Sequence, residues 1–434
     1  MKILIKNGRV INPATGFDEV CDLAIAASKV VAIKKIPSDF VPNKVIDATG
    51  CIVVPGLVDL AARLREPGYE HEGMLQSELA AAVAGGVTSL VCMPDTDPVL
   101  DEPGLIEMLK FRAEKLHQAH VFPLGALTCK LQGEVLTEMV GLAEAGCVGF
   151  SQAEVPLGNT QVLQRALQYA STFGYTIWLR PQDMHLGKGV AASGALATRM
   201  GLSGVPVAAE TIALHTIFEL MKATSGARVH ICRISSAAGV ALVRQAKADG
   251  LQVSCDVSIN SLHLTDVDLG YFDSRARLNP PLRQQRDRDA LRAALADGTI
   301  DALVSDHTPV SEDAKTLPFA EAEAGATGLE LLLSLALKWQ SEAADKALTL
   351  PKALATLTSQ PARVLAINAG ATHACLGQLT VGGAADICIF DPEAMWVVSN
   401  DTLQSQGKHT PFSGYELPGT VVATLVAGHV AFER

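Results

Sequence analysis

The sequence has no surplus of basic residues: 35 Lys and Arg stand against 46 Asp and Glu, a formal net charge of −11 over 434 residues. Such a balance cannot neutralise a phosphate backbone, which argues against nucleic acid as the main partner. No apolar run approaches the length of a membrane span. Met1–Val10 already alternates like a strand and lacks a signal-peptide core or cleavage site. The nine cysteines are odd in number and scattered, without a Cys-X-X-Cys pair. They read as reduced residues of a cytoplasmic protein, not as a disulfide framework or a zinc knuckle. There is no internal repeat and no low-complexity tract. What remains is a chain with 48% hydrophobic and 19% charged residues, long enough to bury a large core plus a smaller domain.

Its texture changes twice. Residues 1–50 hold short strand-like runs such as Ile3-Leu4-Ile5 and Val30-Val31-Ala32-Ile33, punctuated by Asn7-Gly8 and Asn12-Pro13. An all-β texture returns over 371–434, in Ile387–Phe390 and Val421–Val426. The two ends are expected to fold together as one small β-sandwich. Between them, over 51–370, strands alternate with amphipathic helices. Candidate buried strands are Cys51–Leu60, Thr88–Met93, His120–Leu127, Cys147–Ser151, Tyr175–Leu179, Arg228–Ile234, Leu251–Val257 and Asp301–Ser305. Candidate helices include Leu75–Ala84, Gly104–His117, Glu134–Ala145 and Arg286–Ala296, with Gly328–Trp339, Pro351–Leu357 and Pro361–Leu365 after the last strand. Eight strands with helical crossovers predict an α/β fold of the (β/α)₈ TIM-barrel type. A doubly wound sheet fits less well, because no Gly-X-Gly-X-X-Gly turn follows the first strand.

Several separated motifs occur in a recognisable order. They are Val58-Asp59-Leu60 through Arg65-Glu66-Pro67-Gly68, Met93-Pro94-Asp95-Thr96, Asn279-Pro280-Pro281-Leu282-Arg283, Ser305-Asp306-His307-Thr308-Pro309, and Val381-Gly382-Gly383-Ala384-Ala385-Asp386. Together they resemble the dihydroorotases of the cyclic amidohydrolase family over nearly the whole chain. That resemblance implies one or two divalent metals at the C-terminal mouth of the barrel, held by imidazoles and carboxylates. It also implies an aspartate after strand eight as proton shuttle, here Asp306. Arginine and asparagine contacts to a substrate carboxylate would fall here on Arg65 and Asn279.

The ligand positions themselves depart from the pattern. The His-X-His after strand one falls on Ala61 and Arg63, and the bridging position after strand four falls near Gln152. The histidines after strands five and six fall on Arg180 and Arg233. The asparagine of Met-Pro-Asn-Thr is Asp95, and the last histidine of Asp-His-X-Pro-His is Val310. Arginine offers donors only and has no lone pair for a metal. No metal and no cofactor is therefore expected, and Asp306 would be idle. Arg63, Arg180 and Arg233 are expected either to pair with Asp306 and nearby acids or to form an anion pocket to which Arg65 and Asn279 could contribute. A relocated metal site would draw on His230, His307, Asp183, His185 or Asp256; the close pair His117 and His120 lies away from the mouth. The resemblance extends to non-catalytic dihydroorotase-like subunits that associate with aspartate carbamoyltransferase in pyrimidine biosynthesis. It implies that partner, in a hetero-oligomer. The alternatives are an active hydrolase with an atypical metal site and an anion-sensing protein.

Overall fold

In the computed structural model of the chain, which describes residues 1–343, 347–366 and 375–434, both ends enter one sheet. The N-terminal part supplies β1 (Lys2–Asn12), β2 (Phe17–Ala26), β3 (Lys29–Ile33), β4 (Lys44–Asp47) and β5 (Ile52–Pro55). The barrel follows with β6 (Leu57–Ala62), β7 (Val87–Cys92), β8 (His120–Pro123), β9 (Gly125–Ala126), β10 (Phe150–Ser151) and β11 (Thr176–Leu179). A small excursion, β12 (Ala191–Ala192) with β13 (Gly204–Val205), precedes β14 (Arg228–Ile231), β15 (Gln252–Ser258) and β16 (Ala302–Val304). The chain then returns to the end sheet with β17 (Ile387–Val397), β18 (Glu416–Val426) and β19 (His429–Glu433).

The end sheet runs in the order β19-β18-β17-β5-β1-β2-β3, with β4 beside β1. Ile3, Ile5, Leu23 and Ile25 from one chain end share a buried cluster with Ile387, Ile389 and Leu425 from the other. Burial of those apolar faces ties the termini together. The expected first barrel strand, Cys51–Leu60, divides at Gly56. Ile52–Pro55 pairs with β1 and β17 in the end sheet, and only Leu57 onward enters the barrel. A Cβ on Gly56 would lie 2.1 Å from Thr88 Oγ1, so only glycine lets the chain pass between the two units. The expected boundary at 370/371 lies outside the described residues.

The barrel strands are parallel and in chain order, β6-β7-β8 and β9-β10-β11-β14-β15-β16. The wall passes from β8 to β9 at Leu124, whose N–H donates to Cys92. It closes between β16 and β6, where Arg63 N–H donates to the His307 carbonyl at 2.8 Å and His307 N–H to that of Ala61 at 3.2 Å. The fully buried Asp59 carboxylate accepts from Ser305 N–H at 3.0 Å across the same seam. Strands buried on both faces read as continuous apolar runs, which is why the sequence marks them so clearly. One expected helix is shorter: Glu134–Ala145 is helical only over Met139–Glu144. Its first residues are held in a turn, with Cys129 N–H donating to Val135 O, and the Glu138 carboxylate caps the helix by accepting from Gly141 N–H at 2.7 Å. The Leu-rich helix Leu332–Glu342 is core, with Leu332, Leu335 and Trp339 buried. Among the described residues no helix is long and apolar enough to cross a membrane.

Candidate functional site

Side chains at the C-terminal ends of the barrel strands converge on one carboxylate, that of Glu154, in the loop after β10. Arg63 Nη2 donates to its Oε1 at 2.6 Å, and Arg233 Nη2 donates to the same oxygen. Arg180 Nε pairs with Oε2 at 2.8 Å, and Asn279 Nδ2 donates to Oε2 at 2.7 Å. Two further acids complete the network. Arg63 Nε donates to Asp95 Oδ2 at 2.7 Å, and Arg233 Nη1 donates to Asp306 Oδ1 at 3.0 Å. The three arginine side chains are 3–6% exposed, whereas Glu154 keeps 31% of its side chain open at the mouth. Three guanidiniums therefore face three carboxylates, and the buried charge is balanced.

The electrostatics follow from that arrangement. Burial pushes the Glu154 carboxyl up, but Arg233, Arg180 and Arg63 together outweigh it and hold the group well below the usual carboxylate range. Burial opposes the charge on Arg63, yet Asp95 and Glu154 more than compensate and raise its value. Burial raises Asp306, and the guanidiniums of Arg233 and Arg63 offset only part of that. Ala153, Arg233 and Asp306, like Arg65, hold positive φ angles of 50–65°. Left-handed backbone at non-glycine residues is uncommon and costs free energy, and here it clusters at the mouth.

Of the residues expected at the site, Arg63, Arg180, Arg233, Asp306 and Asn279 come together. Arg65 stands apart on the rim, pairing with Glu72 at 2.7 Å and donating to the Pro309 carbonyl at 2.8 Å. Gln152, at the expected bridging position, points away: it accepts from Thr128 Oγ1 at 2.9 Å and donates to the Leu131 carbonyl at 2.7 Å. The nearby carboxylate is that of Glu154, two residues on, which sequence reasoning missed. The signal that could have found it is charge arithmetic. Three arginines at converging strand ends require more acid than Asp306 alone, and Asp95 and Glu154 stand in the facing loops. Glu66, in a polar loop, caps the helix Leu75–Ala84 through Leu75 N–H at 2.9 Å and pairs with Arg112 at 2.7 Å.

The histidines considered for a relocated metal have other partners. His307 is fully buried; Gly328 N–H donates to its Nδ1 at 3.2 Å, which leaves the Nε2 proton for Glu78 at 2.8 Å. Asp183 accepts from His185 N–H and Leu186 N–H in its own turn. His230, Cys232 and Asp256 do bring three donor atoms within 4.8 Å of one another, all buried. Both His230 nitrogens are already engaged there, Nδ1 with Ser254 Oγ at 2.8 Å and Nε2 with Asp256 at 2.9 Å. Asp256 also accepts from Arg233 N–H at 2.6 Å, and burial holds the Cys232 thiol protonated. At the mouth itself, guanidiniums supply no lone pair and Asp306 is bound by one of them. The donor set does not fit a divalent cation. A cavity of about 180 Å³ adjoins the network, lined by Arg63, Arg65, Arg233, Asn279 and Glu154 among others.

Residues 50–238 match the dihydro-orotase-like family and residues 203–431 the amidohydrolase family. A dihydroorotase-like protein of Pseudomonas aeruginosa is 44% identical over 434 residues, all of both chains. A dihydroorotase of Geobacter metallireducens is 38% identical over 435 residues, again across the whole of both. Among solved structures, the L-hydantoinase (dihydropyrimidinase) of Arthrobacter aurescens superposes with a TM-score of 0.87 at 25% identity, over 99% of this chain and 96% of its own.

Proposed function

The chain belongs to the dihydroorotase-like family of the amidohydrolases, and from that premise we propose that it is a non-catalytic member, serving as an assembly or regulatory subunit of aspartate carbamoyltransferase. The observation that carries the reading is the Glu154 hub. Hydrolysis of a cyclic amide in this family needs a metal-activated water and a free general base. Here a guanidinium network occupies the mouth, and the Asp306 carboxylate accepts from Arg233 at 3.0 Å. Partnership with aspartate carbamoyltransferase rests on the resemblance to non-catalytic subunits of that kind.

Two measurements test the two halves. Purified protein is expected to carry no stoichiometric zinc and to show no dihydroorotate hydrolysis above background. Turnover with bound zinc would instead favour an active hydrolase using an atypical ligand set such as His230, Cys232 and Asp256. Co-purification from the native extract is expected to bring aspartate carbamoyltransferase, and its absence at native concentrations would sink the subunit reading. A second reading, an anion sensor at the arginine mouth, draws on the adjoining cavity. The charge balance weighs against it, because an incoming anion must displace Glu154 before it meets an uncompensated guanidinium.

A further inference from the structure

A second, larger cavity lies at the other end of the barrel, where the N-terminal ends of β8 and β10 meet the β18–β19 turn of the end sheet. Its volume is about 480 Å³, within the range of small-molecule sites, which favour such junctions between structural units. Its floor is apolar: Val121, Phe122, Val148 and Val426 line it. Polar groups converge on it from three elements. Lys110, on the helix Pro103–Lys115, lies across Gly146. A Cβ at Gly146, whose φ is 110°, would fall 2.2 Å from Lys110 Nζ. No carboxylate of the described residues lies within ion-pair distance of that ammonium. Gln118 carries a buried side-chain oxygen that no described donor reaches. Leaving such an acceptor unmatched costs free energy, so the position is suited to a ligand N–H or O–H.

The imidazole of His120 also lines the cavity, while His429, His117 and the carboxylate of Glu114 stand at its exposed rim. His120 is oriented by Asp386 at 3.4 Å, and that carboxylate is in turn fixed by Ala427 N–H at 2.7 Å. Burial lowers His120, but Asp386 outweighs it and holds the imidazole above its ordinary value. We propose that this cavity binds a small anionic heterocycle, one that bears a ring N–H or O–H donor beside a carboxylate or phosphate. The ring lies on the apolar floor, the donor meets Gln118, and the anion meets Lys110. The cavity lies at the opposite end of the barrel from the arginine mouth and shares no lining residue with it.

Titration calorimetry on the full chain tests it, with indole-2-carboxylate and 3-indoxyl phosphate as the carboxylate and phosphate arms. Saturable binding of either anion is expected, with a dissociation constant on the order of 1 mM for a ligand of that size. 1-Methylindole-2-carboxylate lacks the donor and neutral indole lacks the charge. Each is expected to bind about tenfold more weakly, and Lys110→Met and Gln118→Leu are expected to weaken the binding anion by about the same factor. Both variants lie at the cavity wall, and an unchanged circular dichroism spectrum and melting temperature confirm that they fold. Whichever anion binds identifies its source. Absence of saturable binding by both anions overturns the proposal. So does equal binding of neutral indole, or an affinity unaltered in Lys110→Met.

Discussion

Replacing Glu154 by glutamine tests the hub directly, because it removes one carboxylate and leaves every guanidinium in place. Arg63, Arg180 and Arg233 would then face only Asp95 and Asp306, with one buried positive charge unbalanced. Removing one member of a buried ion pair typically costs about 3–5 kcal/mol. Glu154 keeps about a third of its side chain open to solvent, so the lower end applies, about 3 kcal/mol. Unfolding entropy near about 2.1 cal/mol/K per residue turns that into a fall in Tm of roughly 3 °C for a chain of this length. The pH dependence carries a second signature. The folded Glu154 carboxyl lies below its usual range, so its contribution is complete above the unfolded value of about 4.3 and is lost as pH falls toward the folded one. Urea denaturation at pH 7 should therefore show the full gap between parent and Glu154→Gln, and the gap should narrow between pH 5 and pH 3. Equal stability at pH 7, or a more stable variant, would refute the reasoning that the carboxylate balances the mouth.

Three further expectations follow from the same packing. Burial raises the Glu330 carboxyl to about 7, against the N–H groups of Gln404 and Ser405 that it accepts; a carboxyl raised in the fold makes stability decline as pH climbs from about 4.5 to 7. Glu330→Gln should flatten that slope in urea titrations at pH 5, 6 and 8, and parallel slopes would count against it. Arg63→His, assayed with added zinc, should give no dihydroorotate turnover, because Arg180 and Arg233 still hold positive charge at the mouth; full activity from that single change would mean the site is misread. Gly56→Ala should cost about 2–3 kcal/mol through the clash with Thr88, the usual scale of overpacking, and a Tm within 1 °C of the parent would show that the two units part more easily than their packing suggests.

The fold was legible because burial writes itself into the chain locally. Most of the barrel strands are buried along their length, as in Leu57–Ala62, Val87–Cys92 and Thr176–Leu179, and small or apolar residues dominate them. For the same reason Gly56 was not legible as a boundary: Ile52–Val58 is apolar whether it lies in one sheet or two, and only the approach of Thr88 separates them. The candidate site divides along the same line. The arginines at positions 63, 180 and 233 stand out because each replaces an expected histidine inside its own motif. Glu154 sits in no motif, and its meaning comes from side chains 26 to 125 residues away. A replaced ligand is a statement about one position, whereas what fills the space depends on how strand ends converge. Balancing buried charge links the two levels. Three guanidiniums brought to one mouth must find their counterions in the loops that rim it, and those loops offer Asp95, Glu154 and Asp306. Arg65 shows the complement: it keeps its motif position, yet Glu72 at 2.7 Å claims its guanidinium. The motif fixed where that residue stands, and its neighbours decide what it touches.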